Sequence, residues 1–463
     1  MTSSSVTGLW KKLSNKFSKP TQYAPPSATI IPRDEHCVSR KHINDAAIKV
    51  IRRLNEEGFD AYLVGGGVRD LLLGGQPKDF DIATNATPEQ VRGAFRNSRI
   101  IGRRFRIVHV RFGSEIIEVT TFRGGHDAPS TSASNNVQRN KHSARTESGM
   151  LTRDNVYGSV NEDAARRDLT INALYYSSRD FCVYDYVGGM RDLEQKLIRI
   201  IGDPETRYRE DPVRMLRVVR FAAKLNFDIE QHTEEPLKRL APLLTDISAA
   251  RMFDEVIKLL MSGQGLQTYA LMQRYGLFSP LFPSTQKMLN QHEPAAETII
   301  QQGLINTDAR IAENKPVTPA FIYAVILWPV VKRIHKEILD SGVPEIPALH
   351  QAAERVLRKQ QLTVAIPKRF SLPMRDIWEL QSRLTRRSGK RAELLLDHRY
   401  FRAGFDFLLL REQAGEIEPG LGQWWLAFQE AHIDTRGAML TQIPASDDKP
   451  RTSRRRRSPR KPR

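Results

Sequence analysis

An apolar run that ends in three glycines constrains this chain more than any other feature. It reads Leu63-Val-Gly-Gly-Gly-Val-Arg-Asp-Leu-Leu-Leu-Gly74 and is followed by Lys78-Asp-Phe-Asp-Ile82. Glycines let backbone N–H groups approach a phosphate chain closely. Phe80 and Ile82 alternate with Asp79 and Asp81, which predicts a strand with both acids on one face. Paired carboxylates on a strand form the hard oxygen site that Mg²⁺ prefers. A phosphate grip beside metal ligands points to phosphoryl or nucleotidyl transfer. The glycines match neither a Walker loop nor the Gly-x-Gly-x-x-Gly dinucleotide fingerprint. By spacing alone they also suit a tight strand-to-helix turn.

The surrounding pattern is that of a small mixed α/β unit. Apolar residues at Ile43, Ala47, Val50, Ile51 and Leu54 have helical spacing, and Gly58 stops the helix. A strand at Ala61–Val64 and a short helix at Val68–Leu73 come next. Thr87 and Gln90 form a capping-box pair at a helix start. Two strands, Ile107–Phe112 and Glu115–Phe122, hinge at Gly113. Residues 127–150 are rich in Ser, Asn and Lys without periodicity and read as a mobile loop, and His126-Asp127 at its edge reads as loop too. From about Arg209 to Phe428 the period is helical. Ala320–Trp328 is the longest apolar run, and with Thr318 and Pro319 before it reads as a capped, buried helix rather than a membrane span. The expected organisation is an arm at 1–40, disordered for most of its length, a head at 41–180, a neck at 181–255, a helical body at 256–445 and a basic disordered tail at 446–463.

The formal net charge of +18 favours polyanionic partners, nucleic acid or an anionic membrane face. Nine of the positive charges lie in the last fifteen residues, so the rest of the chain is about half as basic. The two cysteines, Cys37 and Cys182, cannot build a disulfide framework, which suits a reducing cytoplasm. No secretory leader is expected. Leu9, Trp10, Leu13 and Phe17 form a helical stripe among lysines, so the arm is also weighed as a membrane-contacting helix. Arg103, Arg104 and Arg106 around Phe105 form a basic patch without an assigned role.

Four segments occur in order: Leu-Val-Gly-Gly-Gly-Val-Arg-Asp, Lys-Asp-Phe-Asp, Arg166-Arg-Asp-Leu-Thr-Ile-Asn172 and Arg209-Glu-Asp-Pro-Val-Arg-Met-Leu-Arg217. Together they resemble the head and neck motifs of the class II nucleotidyltransferases of the polymerase-beta superfamily, which comprise CCA-adding enzymes and bacterial poly(A) polymerases. Ile100-Ile-Gly-Arg-Arg-Phe-Arg-Ile-Val-His-Val110 and the basic helical stretch Lys368–Arg391 resemble the poly(A) polymerase branch. The resemblance implies an α+β fold, a small mixed-sheet polymerase-beta-like head followed by an elongated all-helical neck and body. The activity it implies is template-independent transfer of AMP from ATP to RNA 3′ ends, with release of pyrophosphate, in the service of RNA decay. A CCA-adding enzyme is the alternative within the family, and a non-catalytic RNA-binding adaptor is the alternative outside it.

The implied site has Asp79 and Asp81 holding two Mg²⁺ ions, with Glu118 or Asp168 as the third carboxylate. Glu118 suits metal geometry and Asp168 suits nucleotide contacts. Nucleotide contacts are expected at Gly65, Gly66, Arg69, Asp70, Arg166, Arg167, Asn172 and Arg217, with base reading by Asp211 and Arg214. RNA contacts are expected at Lys368, Arg369, Arg386, Arg387, Lys390 and Arg391. The implied partners are RNA 3′ ends, ATP and RNA-decay proteins.

Overall fold

The structure, a computed structural model, describes residues 28–102, 106–124, 143–145, 151–154, 156–293, 295–387 and 390–442. It divides into two compact units, up to Leu244 and from Thr245.

The first unit is built on one eight-stranded mixed sheet. Its strands are β1 (Thr29–Ile31), β2 (Ala61–Val64), β3 (Asp81–Thr84), β4 (Ser98–Ile101), β5 (Ile107–Phe112), β6 (Glu115–Thr121), β7 (Leu174–Tyr176) and β8 (Val183–Asp185). Their spatial order is β1-β8-β7-β2-β3-β6-β5-β4. Only β3 and β6 run parallel, and the other neighbours are antiparallel. Helix α1 (Asp45–Glu56) starts where Asn44 caps the Ala46 amide, and it buries the expected Ala47, Val50, Ile51 and Leu54. Both bonds of the Thr87–Gln90 capping box form at the start of Pro88–Ala94.

Two expectations need correction and a third gains detail. Within the arm expected to be disordered for most of its length, Thr29–Ile31 pairs with β8, and Val38 is fully buried. That edge position demands little hydrophobic pattern, since one neighbour and a few buried side chains suffice. The head sheet also runs past residue 180, because β8 at Val183–Asp185 belongs to it. Within the expected loop 127–150, Ser143–Arg145 is a strand pairing with Leu151–Asp154. The remainder of that loop, Arg103–Phe105, residues 1–27 and the tail from 443 lie outside the described residues.

The second unit is helical. The apolar run falls inside the helix Pro319–Asp340, capped by Thr318, and its side chains from Ile322 to Trp328 are buried. Trp378 and Trp425 are fully buried, and their indole N–H groups donate to the carbonyls of Ala324 and Leu384. Among the described residues no helix is long and apolar enough to cross a membrane.

Candidate active site

The glycine turn joins β2 to helix α2 (Gly66–Leu72). Gly65 has φ of +72°, a region that disfavours any side chain. A Cβ there would lie 3.5 Å from Arg167 Nη1 and 3.8 Å from Asp81 Oδ2. A Cβ on Gly67 would stand 3.3 Å from the carbonyl oxygen of Asp79. The glycines therefore bring the turn against the acidic segment, as well as bending the chain. Val64 pairs with Asp81 across the β2–β3 ladder, which fixes this proximity by register.

Asp81 opens β3, while Asp79 precedes the strand, so the pair does not share a regular strand as expected. Asp81 is register partner to Glu118 on β6. Paired residues of a parallel ladder point to the same face. Burial, with Glu118 and then Asp79 adding like charge against the opposing Arg167, pushes the Asp81 carboxyl up to about 6. Glu118 is half exposed and meets His109 Nε2 at 3.1 Å from the neighbouring strand. Among the described residues, no three or more His, Cys, Asp or Glu side chains stand close enough to enclose a metal ion. The carboxylates are neighbours by register and by charge, not a closed cage. The fit of a divalent cation rests on that donor set: oxygen ligands of like charge, one of them half-buried and reluctant to ionise alone.

Arg167 supplies the positive charge beside Asp81. Its Nε and Nη2 donate to Asp163 Oδ2 at 3.3 and 3.1 Å, and Nε also to Tyr175 Oη at 2.9 Å. Tyr175 Oη donates to the same Asp163 oxygen at 2.7 Å. Burial works against the Arg167 charge, but Tyr175 and Asp163 outweigh it and hold the guanidinium charged. Neither Asp163 nor Tyr175 stood out in the sequence. Asp163 had one signal, its place four residues before Arg167 on a capped helix.

Arg69 is 2% exposed, with its Nη1 on Asn172 Oδ1 at 2.6 Å and its Nε and Nη2 on Asp70 Oδ1 at 2.8 and 2.6 Å. It also stacks over Phe221. The guanidinium of Arg69, expected to contact nucleotide, is engaged by Asp70 and Asn172. Asp70 is 25% exposed in its side chain and lies 3.7 Å from Lys224 Nζ.

The arginine-rich neck opens with helix α3 (Pro204–Glu210), broken at Asp211-Pro212 before helix α4 (Val213–Leu225). Arg207 Nη2 donates to the carbonyls of Arg166 and Arg167 at 2.8 and 2.6 Å. Burial, then Arg214, lowers the Arg207 guanidinium to about 10. Arg214 donates to the Arg207 carbonyl and to Glu210 Oε2, and Glu210 also holds Arg207. The Asp211 carboxylate accepts from the Val213 amide at 3.4 Å. Arg214 is thus anchored on Glu210, while its backbone amide donates to the carbonyl of Asp211, the residue expected to share its task. Arg217 Nε lies 2.5 Å from Asp168 Oδ2. Burial pushes the Asp168 carboxyl up, but Arg217, the Leu169 amide and Arg214 overcome it and hold the group below its ordinary range. Arg166 donates to the Gly124 carbonyl. Glu118 and Asp79 are the carboxylates whose charge helps to push Asp81 up.

The expected RNA contacts lie in the second unit. Lys368 and Arg369 are exposed at the start of the helix Lys368–Leu384. Arg386 and Arg387 follow its other end, Arg386 bonded to Glu345 at 2.5 Å and Arg387 lying over Trp424. Arg391 is exposed, and the side chain of Lys390 lies outside the described residues.

Three family models match this chain. The poly(A) polymerase head domain matches residues 61–199, the probable RNA- and SrmB-binding site of polymerase A matches 226–289, and the arginine-rich C-terminus of polymerase A matches 341–462. The chain is 51% identical over 457 residues to poly(A) polymerase I of Salmonella typhimurium, covering 97% of this chain and 96% of that protein. It is 36% identical over 250 residues to the CCA-adding enzyme of Bacillus subtilis, covering 53% of this chain and 58% of the other. Among solved structures it resembles the CCA-adding enzyme of Bacillus stearothermophilus in complex with CTP, at 26% identity and a TM-score of 0.54, covering 84% of this chain and 81% of that one.

Proposed function

The chain belongs to the poly(A) polymerase family and is a nucleotidyltransferase that adds AMP to RNA 3′ ends without a template; we propose that Asp79 and Asp81, with Glu118, are its metal ligands. The observation that supports this reading is the Asp81–Glu118 register pair set beside the positive-φ glycine turn. Two Mg²⁺ ions held by Asp79, Asp81 and Glu118 would supply a lowered pKa at an RNA 3′-hydroxyl and charge neutralisation at the triphosphate of ATP. The chain's own residues do the rest by positioning and charge. Gly65 and Gly66 open the turn so that backbone N–H groups can face phosphate. Arg167 holds a fixed positive charge beside Asp81, steadied by Asp163 and Tyr175. Arg207 locks the Arg166–Arg167 backbone in place through its two carbonyl bonds. Arg69 fixes Asp70 and Asn172 as one unit.

Base choice is assigned to Asp211 and Arg214, whose backbones the broken helix holds next to each other. Arg217 and Asp168 form the neighbouring ion pair, which offers donors and an acceptor to ribose or phosphate. Lys368, Arg369, Arg386, Arg387, Lys390 and Arg391 are assigned to RNA in the second unit.

The test is nucleotide preference. Purified protein with Mg²⁺, an unstructured RNA primer and ATP alone should give long adenylate tails. Addition confined to C, C and A on tRNA lacking its 3′ end would instead identify a CCA-adding enzyme. Tail synthesis surviving in an Asp79→Ala, Asp81→Ala variant would remove the metal-ligand assignment.

A further inference from the structure

A cleft of about 300 Å³ opens in the second unit between the helices Pro283–Asn290, Pro319–Asp340 and Glu345–Gln360. Its size is at the lower end for small-ligand pockets. Its floor is aliphatic: Met288, Val330 and Val356 are buried there, and Ile334 is partly so. Four cations line it, Lys287, Arg333, Arg355 and Lys359, against the single acid Glu337.

The cations are not equivalent. Arg333 is spent on Glu337 and Gln291. Neighbours outside the cleft are paired too, Lys332 with Glu416 and Arg358 with Glu354. Lys287, Arg355 and Lys359 are exposed and have no ion pair among the described residues. Exposed cations without partners remain available to a polyanion.

We propose that this cleft is an RNA subsite, which seats one base of a single strand on the aliphatic floor while Lys287, Arg355 and Lys359 neutralise the flanking phosphates. The proposal rests on the reading of the chain as an RNA polymerase without a template, and adds where and how its second unit holds the strand. A base offers a flat, largely apolar face bracketed by phosphate charges, and the cleft is the complement of that pattern. Lys287 and Met288 fall in the segment matched by the RNA- and SrmB-binding model, whereas residues 330–359 fall outside it. An acidic protein partner would meet the cations but has less use for the aliphatic floor.

The test uses the full chain and a fluorescent unstructured RNA. Lys287→Ala, Arg355→Ala and Lys359→Ala together should weaken RNA binding about tenfold at moderate salt. The log–log salt slope should become shallower by about 2, at ~0.7 per phosphate of a single strand. The KM for RNA should rise with kcat at saturating RNA unchanged, which separates this result from loss of the carboxylate site, where kcat falls. Ile334→Trp, which fills the floor and keeps the charge, should raise the same KM without moving the slope. On the unmodified chain, RNA carrying 4-thiouridine should crosslink to peptides from 283–290, 330–337 or 355–359. Absence of those crosslinks while RNA stays bound overturns the proposal. So does a triple variant that binds RNA normally, including one that does so while losing a protein partner.

Discussion

Asp81 and Glu118 stand side by side with like charge, and Asp79 adds to it, whereas the arginines close by end on acceptors the fold already provides. Arg167 has Asp163 and Tyr175, Arg207 has Glu210 and two carbonyls, and Arg214 has Glu210. Both regions belong to the first unit, and both carry dense charge. The acidic strands carry like charge that Arg167 opposes only in part, and on the proposed reading a divalent cation would offset the rest. The arginine segment is tied down by bonds within the fold, Arg207 and Arg214 sharing Glu210, and acts as a frame. Dense charge in a sequence is therefore two different things, a site or a scaffold, and partners decide which.

The sharpest way to break this comparison is to remove one acid. Asp81→Ala should cut AMP incorporation by about 10³-fold or more, the equivalent of several kcal/mol of transition-state stabilisation. RNA binding should hold, since no cation is lost. Primer-extension rates and equilibrium binding on the same preparation check both halves. A variant that still extends RNA at the normal rate would make the strand pair another scaffold.

The scaffold side breaks in a different way. Asp163→Ala leaves Arg167 charged and buried without its carboxylate, a loss of about 3–5 kcal/mol of stability for a broken buried pair. Chemical denaturation should register it, and activity should fall along with folding. Asp163→Asn keeps an acceptor oxygen and should recover part of the stability. Should Asp163→Ala unfold normally yet lose turnover, Asp163 would belong with the catalytic acids.

These contrasts also explain what the sequence disclosed. The glycine turn was legible because glycine suits positive φ, and Asp79-x-Asp81 was legible as neighbouring acids, although alternation put both on a strand that begins only at Asp81. Helix ends such as Thr87–Gln90 and Thr318 were legible because local chemistry states them. Glu118 emerged from its place on a strand, but its pairing with Asp81 depends on β3 and β6 running parallel, a non-local fact. Tyr175 and Arg207 carried no local signature at all, and Glu210 stood in the Arg209–Arg217 motif without its bonds to Arg207 and Arg214 being legible. Their roles come from contacts with residues brought in by the fold, such as the Arg166 and Arg167 carbonyls some forty positions away. The edge strand Thr29–Ile31 was missed because it borrows its order from β8.

Glu118 and Asp168 sharpen the comparison, since one sits on each side of it. Glu118→Gln should raise the Mg²⁺ concentration for half-maximal activity about tenfold, in the range seen when groups around a metal are altered. Asp168→Asn should release Arg217 and raise the KM for ATP at fixed Mg²⁺. A Mg²⁺ titration of each variant decides it: a shift for Asp168→Asn and none for Glu118→Gln would exchange the two assignments.

The same distinction between committed and uncommitted charge applies, with smaller effect, to the helix Lys368–Leu384. Its seventeen residues separate Lys368 and Arg369 from Arg386 and Arg387 by about 25 Å at 1.5 Å per residue, so they cannot grip one phosphate together. Lys368 and Arg369 make no ion pair among the described residues, whereas Arg386 is held by Glu345. An arginine already paired with a carboxylate releases fewer counterions on meeting RNA. Lys368→Ala with Arg369→Ala should therefore flatten the salt slope of RNA binding by about 1.4, two contacts at ~0.7 each. Arg386→Ala should move it by less than one contact, because Glu345 must first let go. Binding isotherms across a salt series resolve slopes of that size. Equal shifts per residue from the two ends would mean that ion pairing within the fold does not decide which cations serve RNA.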